Sequence, residues 1–312
     1  MTRWTSTLSL ALFVLGCGAR FERELAYTSH ESRANNGVVM DYAVFTPPGW
    51  TAEERLPLVV FLHGGGDSHD AFDRHGVTDR LEEAMAEGRV PRAVVVLPNG
   101  HLGFWANWWN QSRRYEDWIV YEVIPRVRRD YRTQACPENC HIMGVSMGGA
   151  GSLRIALHQP GVFRTVASLS GPVLNTDAML RFVSSPLIAL AIPAQNIFGP
   201  PDRARVQQED LYLVWDGPDA VAQDRIFIAW GSEDREMIIE GGRAFHDHLE
   251  EHAIPHSWIE YEGNHSWVSW GPVIESAFRA NLGDGPQGPV EPGPATAGGE
   301  ATATAETAPA TL

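Results

Sequence analysis

The sequence contains no lysine, so its 24 Lys plus Arg residues are all arginine. This absence excludes the phosphate-binding lysine of Walker-type nucleotide sites, a Schiff-base lysine, and a serine nucleophile activated by lysine. An enzyme built from this sequence must take its nucleophile and base from Ser, Cys, His, Asp, Glu or Tyr, or use a metal.

The sequence also has few positively charged residues. It contains 39 Asp and Glu but 24 Arg, and its formal net charge is −15. Such an acidic balance repels phosphate backbones and anionic lipid head groups, so we expect no nucleic acid partner. The rest of the composition, 44% hydrophobic and 20% charged over 312 residues, is that of an ordinary globular protein.

The N-terminal apolar run, residues 8–15, is too short to cross a bilayer as a helix, which takes roughly 18 residues. It follows a basic start and ends in Gly16-Cys17, an order that resembles a bacterial lipobox. We therefore expect a lipoprotein signal over residues 1–16, an acylated Cys17 and a tether over 17–24. A plain signal peptide cleaved nearby is the alternative.

At the other end, residues 283–312 are rich in Gly, Pro, Ala and Thr and contain no aromatic residue. Such a segment buries too little apolar surface to offset the entropy lost on ordering, so we expect a disordered tail. The remaining residues, 25–282, have the length of a single α/β domain of about 250 residues.

Cysteine is scarce, with three residues in all, and Cys136 and Cys140 remain once Cys17 is set aside. In an exported protein, two cysteines four apart favour a local disulfide over a metal site, which would need further ligands at matching spacing. Two free thiols are the alternative.

Between the two ends, short β-branched runs alternate with helical stretches. This pattern predicts an α/β fold with a mostly parallel central sheet covered by helices on both faces. Residues 172–222 lack this alternation of strands and helices, which indicates an inserted cap or a long excursion near the active site. We expect strands at 38–45, 56–62, 93–97, 141–145, 166–170, 225–230 and 257–261, and helices at 117–131, 147–158, 238–252 and 267–282.

The motif with the clearest chemistry is Gly144-Val145-Ser146-Met147-Gly148-Gly149, which lies between a predicted strand and a predicted helix. A nucleophile elbow requires this context, because the flanking glycines allow the tight strand-to-helix turn that exposes the serine. Upstream, His63-Gly64-Gly65-Gly66 ends another strand. Glycines there let a backbone N–H approach a substrate oxygen, and with the N–H of Met147 they would form an oxyanion hole. A phosphate-binding glycine turn is the alternative, which the missing lysine disfavours.

A serine nucleophile needs a histidine base and a carboxylate that orients the histidine. In α/β sheets that carry a nucleophile elbow, the acid follows the serine in the chain and the histidine follows the acid. The sequence has Asp234 after one predicted strand and His265 after the next, both on loops at carboxyl ends. Ser146, Asp234 and His265 are therefore the predicted catalytic residues. Glu233, next to Asp234, is the alternative acid.

These motifs together resemble the esterase D-like branch of the α/β-hydrolases, which includes feruloyl and acetyl-xylan esterases, S-formylglutathione hydrolases and mycolyl transferases. The resemblance covers residues 38–282. It implies Ser146 as nucleophile, His265 as base, Asp234 as acid, and the N–H groups of Gly65 and Met147 as oxyanion donors. One departure is Asn99, where many members carry Asp. The motifs are His63–Gly66, Pro98-Asn99-Gly100 with Trp105, Trp108 and Trp109, Tyr121–Pro125, Gly144–Gly149, Gly231–Asp234 and Gly263–Trp267.

Tryptophan is concentrated near the predicted site. We expect Trp108, Trp109 and Trp267 to contact substrate, because amphipathic rings stack on sugars and aromatic acyl groups. Packing beneath the loop is the alternative for the loop tryptophans, since Trp is highly buried on average.

A rival enzyme class is suggested by His248-Leu249-Glu250-Glu251-His252, which matches the H-x-x-E-H pattern of inverted zinc proteases. No third zinc ligand is identifiable, and the histidines share the helix with acidic residues typical of a solvated face. We therefore expect no metal and no cofactor.

The sequence thus predicts an exported serine carboxylic-ester hydrolase that acts through an acyl-enzyme on a carbohydrate, phenolic-acid or siderophore-type ester. Expected partners are a small-molecule or polysaccharide-linked ester, and a membrane only through the lipid anchor, on the periplasmic or outer surface of a bacterial cell envelope. Two alternatives remain, an acyltransferase with the same three residues and a non-catalytic carbohydrate-binding protein of the envelope.

The lipoprotein interpretation predicts that Cys17→Ser moves the protein from the detergent phase to the aqueous phase in a detergent partitioning experiment. The acyl chains, which supply the membrane affinity, can no longer be attached to residue 17. Equal partitioning of the variant and the natural protein would contradict the acylation of Cys17.

Overall fold

The computed structural model describes residues 25–214, 225–283 and 288–289. The predicted signal, Cys17, the tether and nearly all of the C-terminal tail lie outside these residues. Within them the strands are β1 (Leu25–Ser32), β2 (Val38–Phe45), β3 (Leu58–Leu62), β4 (Val94–Pro98), β5 (Cys140–Val145), β6 (Thr165–Leu169), β7 (Arg225–Gly231), β8 (Ser257–Tyr261) and β9 (Gly288–Pro289).

The described strands form one sheet in the order β1-β2-β4-β3-β5-β6-β7-β8-β9. Pairing is antiparallel for β1 with β2 and for β2 with β4, and parallel from β4 to β9. The mostly parallel sheet expected from the sequence is therefore confirmed. Because its parallel strands run the same way, the loops that follow them meet at one edge.

Helices cover both faces of this sheet. They are α1 (Ala71–Arg74), α2 (Val77–Ala86), α3 (Tyr115–Trp118), α4 (Ile124–Asp130), α5 (Met147–His158), α6 (Thr176–Ser184), α7 (Pro186–Ala189), α8 (Ala194–Phe198), α9 (Arg203–Val206), α10 (Leu211–Val214), α11 (Glu236–Glu251) and α12 (Trp267–Leu282).

Alternate residues of each central strand enter different hydrophobic cores. In β3, Val60 packs in the core that also holds Leu249 of α11, whereas Phe61 packs in the core that holds Leu81 of α2 and Phe278 of α12. Both faces of β3 are buried, which explains why its sequence is an uninterrupted apolar run.

Outside the predicted cap, four described elements were missed from the sequence: β1, α1, α2 and β9, the last within the segment expected to be disordered. β1 lies at the sheet edge with most of its side chains exposed or half-buried, so it carries no clear alternation of apolar and polar residues. α2 did carry a signal, because Val77, Leu81, Ala84 and Met85 are buried at helical spacing.

The helix predicted at 117–131 begins earlier and is interrupted. α3 and α4 are joined by a π-helical turn over Ile119–Val123, directly before Pro125. Proline has no N–H to donate and its ring crowds the carbonyl four residues back, so a wider turn at this point accommodates it.

The predicted cap, as far as it is described, consists of the short helices α6 to α10. These helices enclose a separate apolar cluster that includes Met179, Ile197 and Phe198, with Phe104 and Trp108 packed against it. Arg154 of α5 connects the cap to the core through an ion pair with Glu209, 2.9 Å from Nε to Oε2. Helices this short contain too few turns to show a helical period in the sequence.

Cys136 and Cys140 form the expected disulfide, with a Cα–Cα distance of 5.0 Å. The bridge closes the turn that leads into β5, whose first residue is Cys140.

In the part of the chain that the structure describes, no helix combines the length and the apolar character needed to cross a membrane.

Candidate active site

Ser146 occupies a single-residue turn between the end of β5 and the start of α5. Its backbone has φ 54° and ψ −122°, a left-handed conformation that is uncommon for a residue with a side chain. Gly148 makes the turn possible, because a Cβ on this residue would lie 2.0 Å from the carbonyl oxygen of Leu62. α5 therefore begins directly against the end of β3.

The side chains of Ser146, His265 and Asp234 form a continuous hydrogen-bonded line. His265 Nε2 lies 2.8 Å from Ser146 Oγ, and His265 Nδ1 lies 2.7 Å from Asp234 Oδ1. The three residues follow β5, β8 and β7, respectively, at the carboxyl edge of the sheet. Residues separated by 119 positions in the chain are thus within reach of one proton transfer.

Asp234, and not its neighbour Glu233, faces the histidine. The Asp234 side chain is fully buried, whereas Glu233 is exposed. Burial alone would raise the pKa of Asp234, but the hydrogen bond and the charge of His265, together with the N–H of Arg235, hold it below its usual value. The carboxylate therefore stays ionised, as a group that orients an imidazole must.

The glycine loop after β3 lies against the serine. A Cβ on Gly64 would lie 3.2 Å from the Cβ of Ser146, so the backbone that carries the N–H of Gly65 passes beside the hydroxyl. Met147 is the first residue of α5, and N–H groups in the first turn of a helix have no partner within the helix. The two predicted oxyanion donors are therefore on the backbone segments that flank Ser146.

His63 holds this loop in place. Its Nε2 accepts a hydrogen bond from the N–H of Gly100 at 3.0 Å, which leaves the proton on Nδ1 to be donated to the Gly64 carbonyl at 2.7 Å. Burial lowers the pKa of His63 to about 4, so the ring is neutral at neutral pH. A neutral, doubly hydrogen-bonded histidine has the structural role of orienting this loop.

A second set of side chains supports His265 and was not predicted from the sequence. The indole N–H of Trp270 donates to Ser170 Oγ at 3.0 Å, and Ser170 Oγ lies 2.8 Å from the Tyr261 hydroxyl. Trp270 also packs edge-on against the His265 ring, with centroids 4.9 Å apart. Ser170 follows β6, between the strands that carry nucleophile and acid, and its place at a strand end was the available signal.

A family comparison accounts for this geometry. Residues 35–280 match the model of the Esterase family, described as "Putative esterase". The chain belongs to this esterase family. Since the match spans most of the chain, the family resemblance drawn from the sequence motifs is confirmed.

Two curated relatives and one solved structure show the range of similar proteins. Esterase Rv1288 of Mycobacterium tuberculosis is 27% identical over 235 residues, which cover 69% of this chain and 50% of that protein. The endo-1,4-beta-xylanase/feruloyl esterase of Xylanibacter ruminicola is 26% identical over 123 residues, which cover 38% of this chain and 17% of that protein. This chain thus spans half or less of the length of either curated relative.

The solved structure is FphF, a fluorophosphonate-binding serine hydrolase of Staphylococcus aureus. It aligns with a TM-score of 0.69 and 20% identity, over 83% of this chain and 98% of that chain. At this identity the likeness concerns the fold, and it confirms the α/β-hydrolase fold expected from the sequence.

The structure separates the tryptophans that were expected to contact substrate. Trp108 is half-buried and lines a cavity of about 300 Å³. Trp109 is 51% exposed and is not among the lining residues. Trp267 donates its indole N–H to Asp67 at 2.8 Å and stacks on His75, so it braces the loop after β3.

Apolar residues form most of the cavity wall, and Arg113 and His101 add polar groups. Leu102 lies between the cavity and the glycine loop, because it lines the cavity and its side chain lies 3.5 Å from where a Cβ of Gly65 would be. The lining consists of Val38, Met40, His101, Leu102, Gly103, Trp108, Arg113, Tyr115, Ala191 and Pro193.

Asp234→Asn is expected to lower kcat for p-nitrophenyl acetate on the order of 10⁴-fold, because an amide favours the wrong histidine tautomer and does not stabilise the imidazolium. Glu233→Gln is the matched control, since it removes an exposed carboxylate one residue away and should change kcat by less than about twofold. A comparable loss in both variants would refute the assignment of Asp234 as the acid.

Proposed function

We propose that this chain hydrolyses carboxylic esters through an acyl-enzyme on Ser146. The observation that carries the proposal is the line of hydrogen bonds from Ser146 Oγ through His265 to Asp234, at 2.8 and 2.7 Å. Such a line lets a neutral hydroxyl lose its proton to the imidazole while it attacks a carbonyl carbon.

In the first half-reaction, Ser146 Oγ bonds to the ester carbonyl carbon and its proton passes to His265 Nε2. The ionised Asp234 stabilises the imidazolium that results. His265 then gives the proton to the departing alcohol as the carbon–oxygen bond breaks. In the second half-reaction, water loses a proton to His265, attacks the acyl-enzyme and releases the carboxylic acid, and the proton returns to Ser146.

The negative charge on the carbonyl oxygen is stabilised by the N–H groups of Gly65 and Met147. Their placement on either side of Ser146 supports this role, because a tetrahedral intermediate on Oγ would project its oxygen between them. The N-terminus of α5, a helix of 12 residues, adds the positive end of its dipole at the same point.

For the substrate, we propose esters of small aromatic acids, of the phenolic type. The cavity beside the glycine loop has about 300 Å³, at the lower end of the range for small-molecule sites. Trp108, Tyr115 and Leu102 offer flat and apolar walls for a ring, and Arg113 with His101 offers partners for a phenolic oxygen. The feruloyl esterase named among the relatives supports the same class.

Export to the cell envelope as a lipoprotein also remains a proposal. It is supported by the apolar run at residues 8–15 and the Gly16-Cys17 that follows it.

Ser146→Ala is expected to abolish covalent labelling by a fluorophosphonate and to lower turnover of p-nitrophenyl acetate and methyl ferulate on the order of 10⁶-fold. Peptide mass spectrometry should place the label on residue 146 in the natural protein. Ser232→Ala, an exposed serine on the loop that carries Asp234, is the control and should behave as the natural protein does. Absence of both labelling and turnover in the natural protein would refute the hydrolase proposal.

Trp108→Ala is expected to reduce kcat/KM for methyl ferulate about tenfold or more while changing that for p-nitrophenyl acetate little, because it removes a cavity wall that only the larger acyl group contacts. Trp109→Ala, next to it and outside the cavity, should leave the ratio of the two constants unchanged. Because the readout is a ratio measured on one sample, partial loss of folded protein cancels. Equal ratios in all three proteins would contradict the cavity as the acyl site.

A further inference from the structure

Three side chains with metal-binding atoms meet at the C-terminal end of α11, away from Ser146. His246 and Glu250 are four residues apart on this helix and therefore share a face, and His256 directly precedes β8. One ligand atom from each of the three lies within 4.8 Å of those of the other two. Among the described residues this is the group of three that could hold a metal ion.

The two imidazoles already face each other. His246 Nδ1 lies 2.8 Å from His256 Nε2, and His256 Nε2 lies 4.0 Å from a carboxylate oxygen of Glu250. Ligands around a tetrahedral zinc ion with bonds of about 2.0–2.1 Å are about 3.3 Å apart. To reach that geometry the two nitrogens would separate by about 0.5 Å, and the carboxylate would approach His256 Nε2 by about 0.7 Å.

The orientation of His256 is set from outside the cluster. Its Nδ1–H donates to the carbonyl of Ile254 at 2.9 Å, which leaves the lone pair on Nε2 directed at His246 and Glu250. A backbone carbonyl on the far nitrogen is the arrangement that metal-binding histidines commonly have. His256 is also buried, so the ring cannot turn away into solvent.

The His246 ring is held by aromatic packing. Its centroid lies 4.5 Å from that of Trp258 on β8, and Trp258 is stacked on Trp230 of β7 at 5.8 Å. Two of the three ligands are therefore positioned in advance. Glu250, whose side chain is 66% exposed, is free to adjust its position.

We propose that His246, Glu250 and His256 form a binding site for a divalent transition metal ion, with Zn²⁺ as the representative. Two imidazole nitrogens and one carboxylate oxygen are a ligand set that Zn²⁺ accepts, and a water molecule completes four-coordination. The site lies at the amino end of β8, opposite the edge that carries His265. It therefore joins α11 to β8 as a structural site and takes no part in ester hydrolysis.

This set differs from the H-x-x-E-H pattern noted in the sequence. That pattern uses His248, Glu251 and His252, and neither histidine belongs to the group of three. His252 Nδ1 instead lies 2.8 Å from the carbonyl oxygen of His248. The structural set uses residues on the opposite face of α11, because a two-residue offset turns about 200° around an α-helix, and it adds a ligand from the next loop.

The experiment is a calorimetric titration of the full chain, without an affinity tag, with ZnCl₂. We expect one equivalent of Zn²⁺ to bind in the micromolar range, and the unfolding temperature to rise on addition of Zn²⁺. Glu250→Gln should weaken binding about tenfold or more, whereas Glu251→Gln, the adjacent exposed carboxylate, should change it less than about twofold.

His246→Asn should weaken binding at least as much as Glu250→Gln. Since His256 is buried and its replacement can disturb folding, the test relies on His246 and on Glu250. With Cu²⁺ in place of Zn²⁺, electron paramagnetic resonance should show coupling to two nitrogens in the natural protein and to one in His246→Asn. Absence of micromolar binding, or a larger loss in Glu251→Gln than in Glu250→Gln, would overturn the proposal.

Discussion

The contact between α5 and the end of β3 is the constraint on which the rest of the site depends. Any side chain at residue 148 would collide with the carbonyl oxygens of Leu62 and His63, at 2.0 and 2.7 Å from a Cβ. Because residue 148 is a glycine, α5 can start directly against the end of β3. Ser146 is thereby confined to a left-handed turn, its N–H bonded to the carbonyl of Leu169 at 2.8 Å, and its hydroxyl projects over the sheet edge.

Once that turn is set, the remaining groups reach the serine by strand order alone. β7 and β8 lie beyond β6 on one side of β5, and the loops after them carry Asp234 and His265. On the other side, β3 ends in the glycine loop. The parallel strands bring these residues together because the loops that follow such strands all lie at the same edge of the sheet.

Much of this arrangement could be predicted from the sequence, because it depends on patterns of neighbouring residues. Buried parallel strands are continuous apolar runs, and the turn around Ser146 demands glycines at fixed offsets. The choice of Asp234 over Glu233 could not be settled in that way. Both lie on one loop, and only the fold decides which carboxylate is buried against the histidine.

Apart from α2, the features that escaped the sequence are those without a local period. The cap consists of helices of 4 to 9 residues, and its position depends on long-range contacts such as Arg154 with Glu209. The cavity beside Leu102 and the pairing of His246 with His256 likewise arise from residues brought together by packing. The absence of lysine shows its consequence here, because the buried ion pair that connects cap and core is made by the planar guanidinium group of Arg154.

The separation of 119 residues between Ser146 and His265 also bears on how the chain reaches its functional state. The serine and its glycine loop follow strands from the first half of the sequence, whereas the base follows β8, close to the end of the domain. A growing chain therefore contains the elbow before it contains the base, and a chain that has the elbow alone is inert. It acquires its proton acceptor only when β8 docks on β7, so turnover reports that this part of the sheet has formed, which collapse of the core around β3 and β5 alone does not provide.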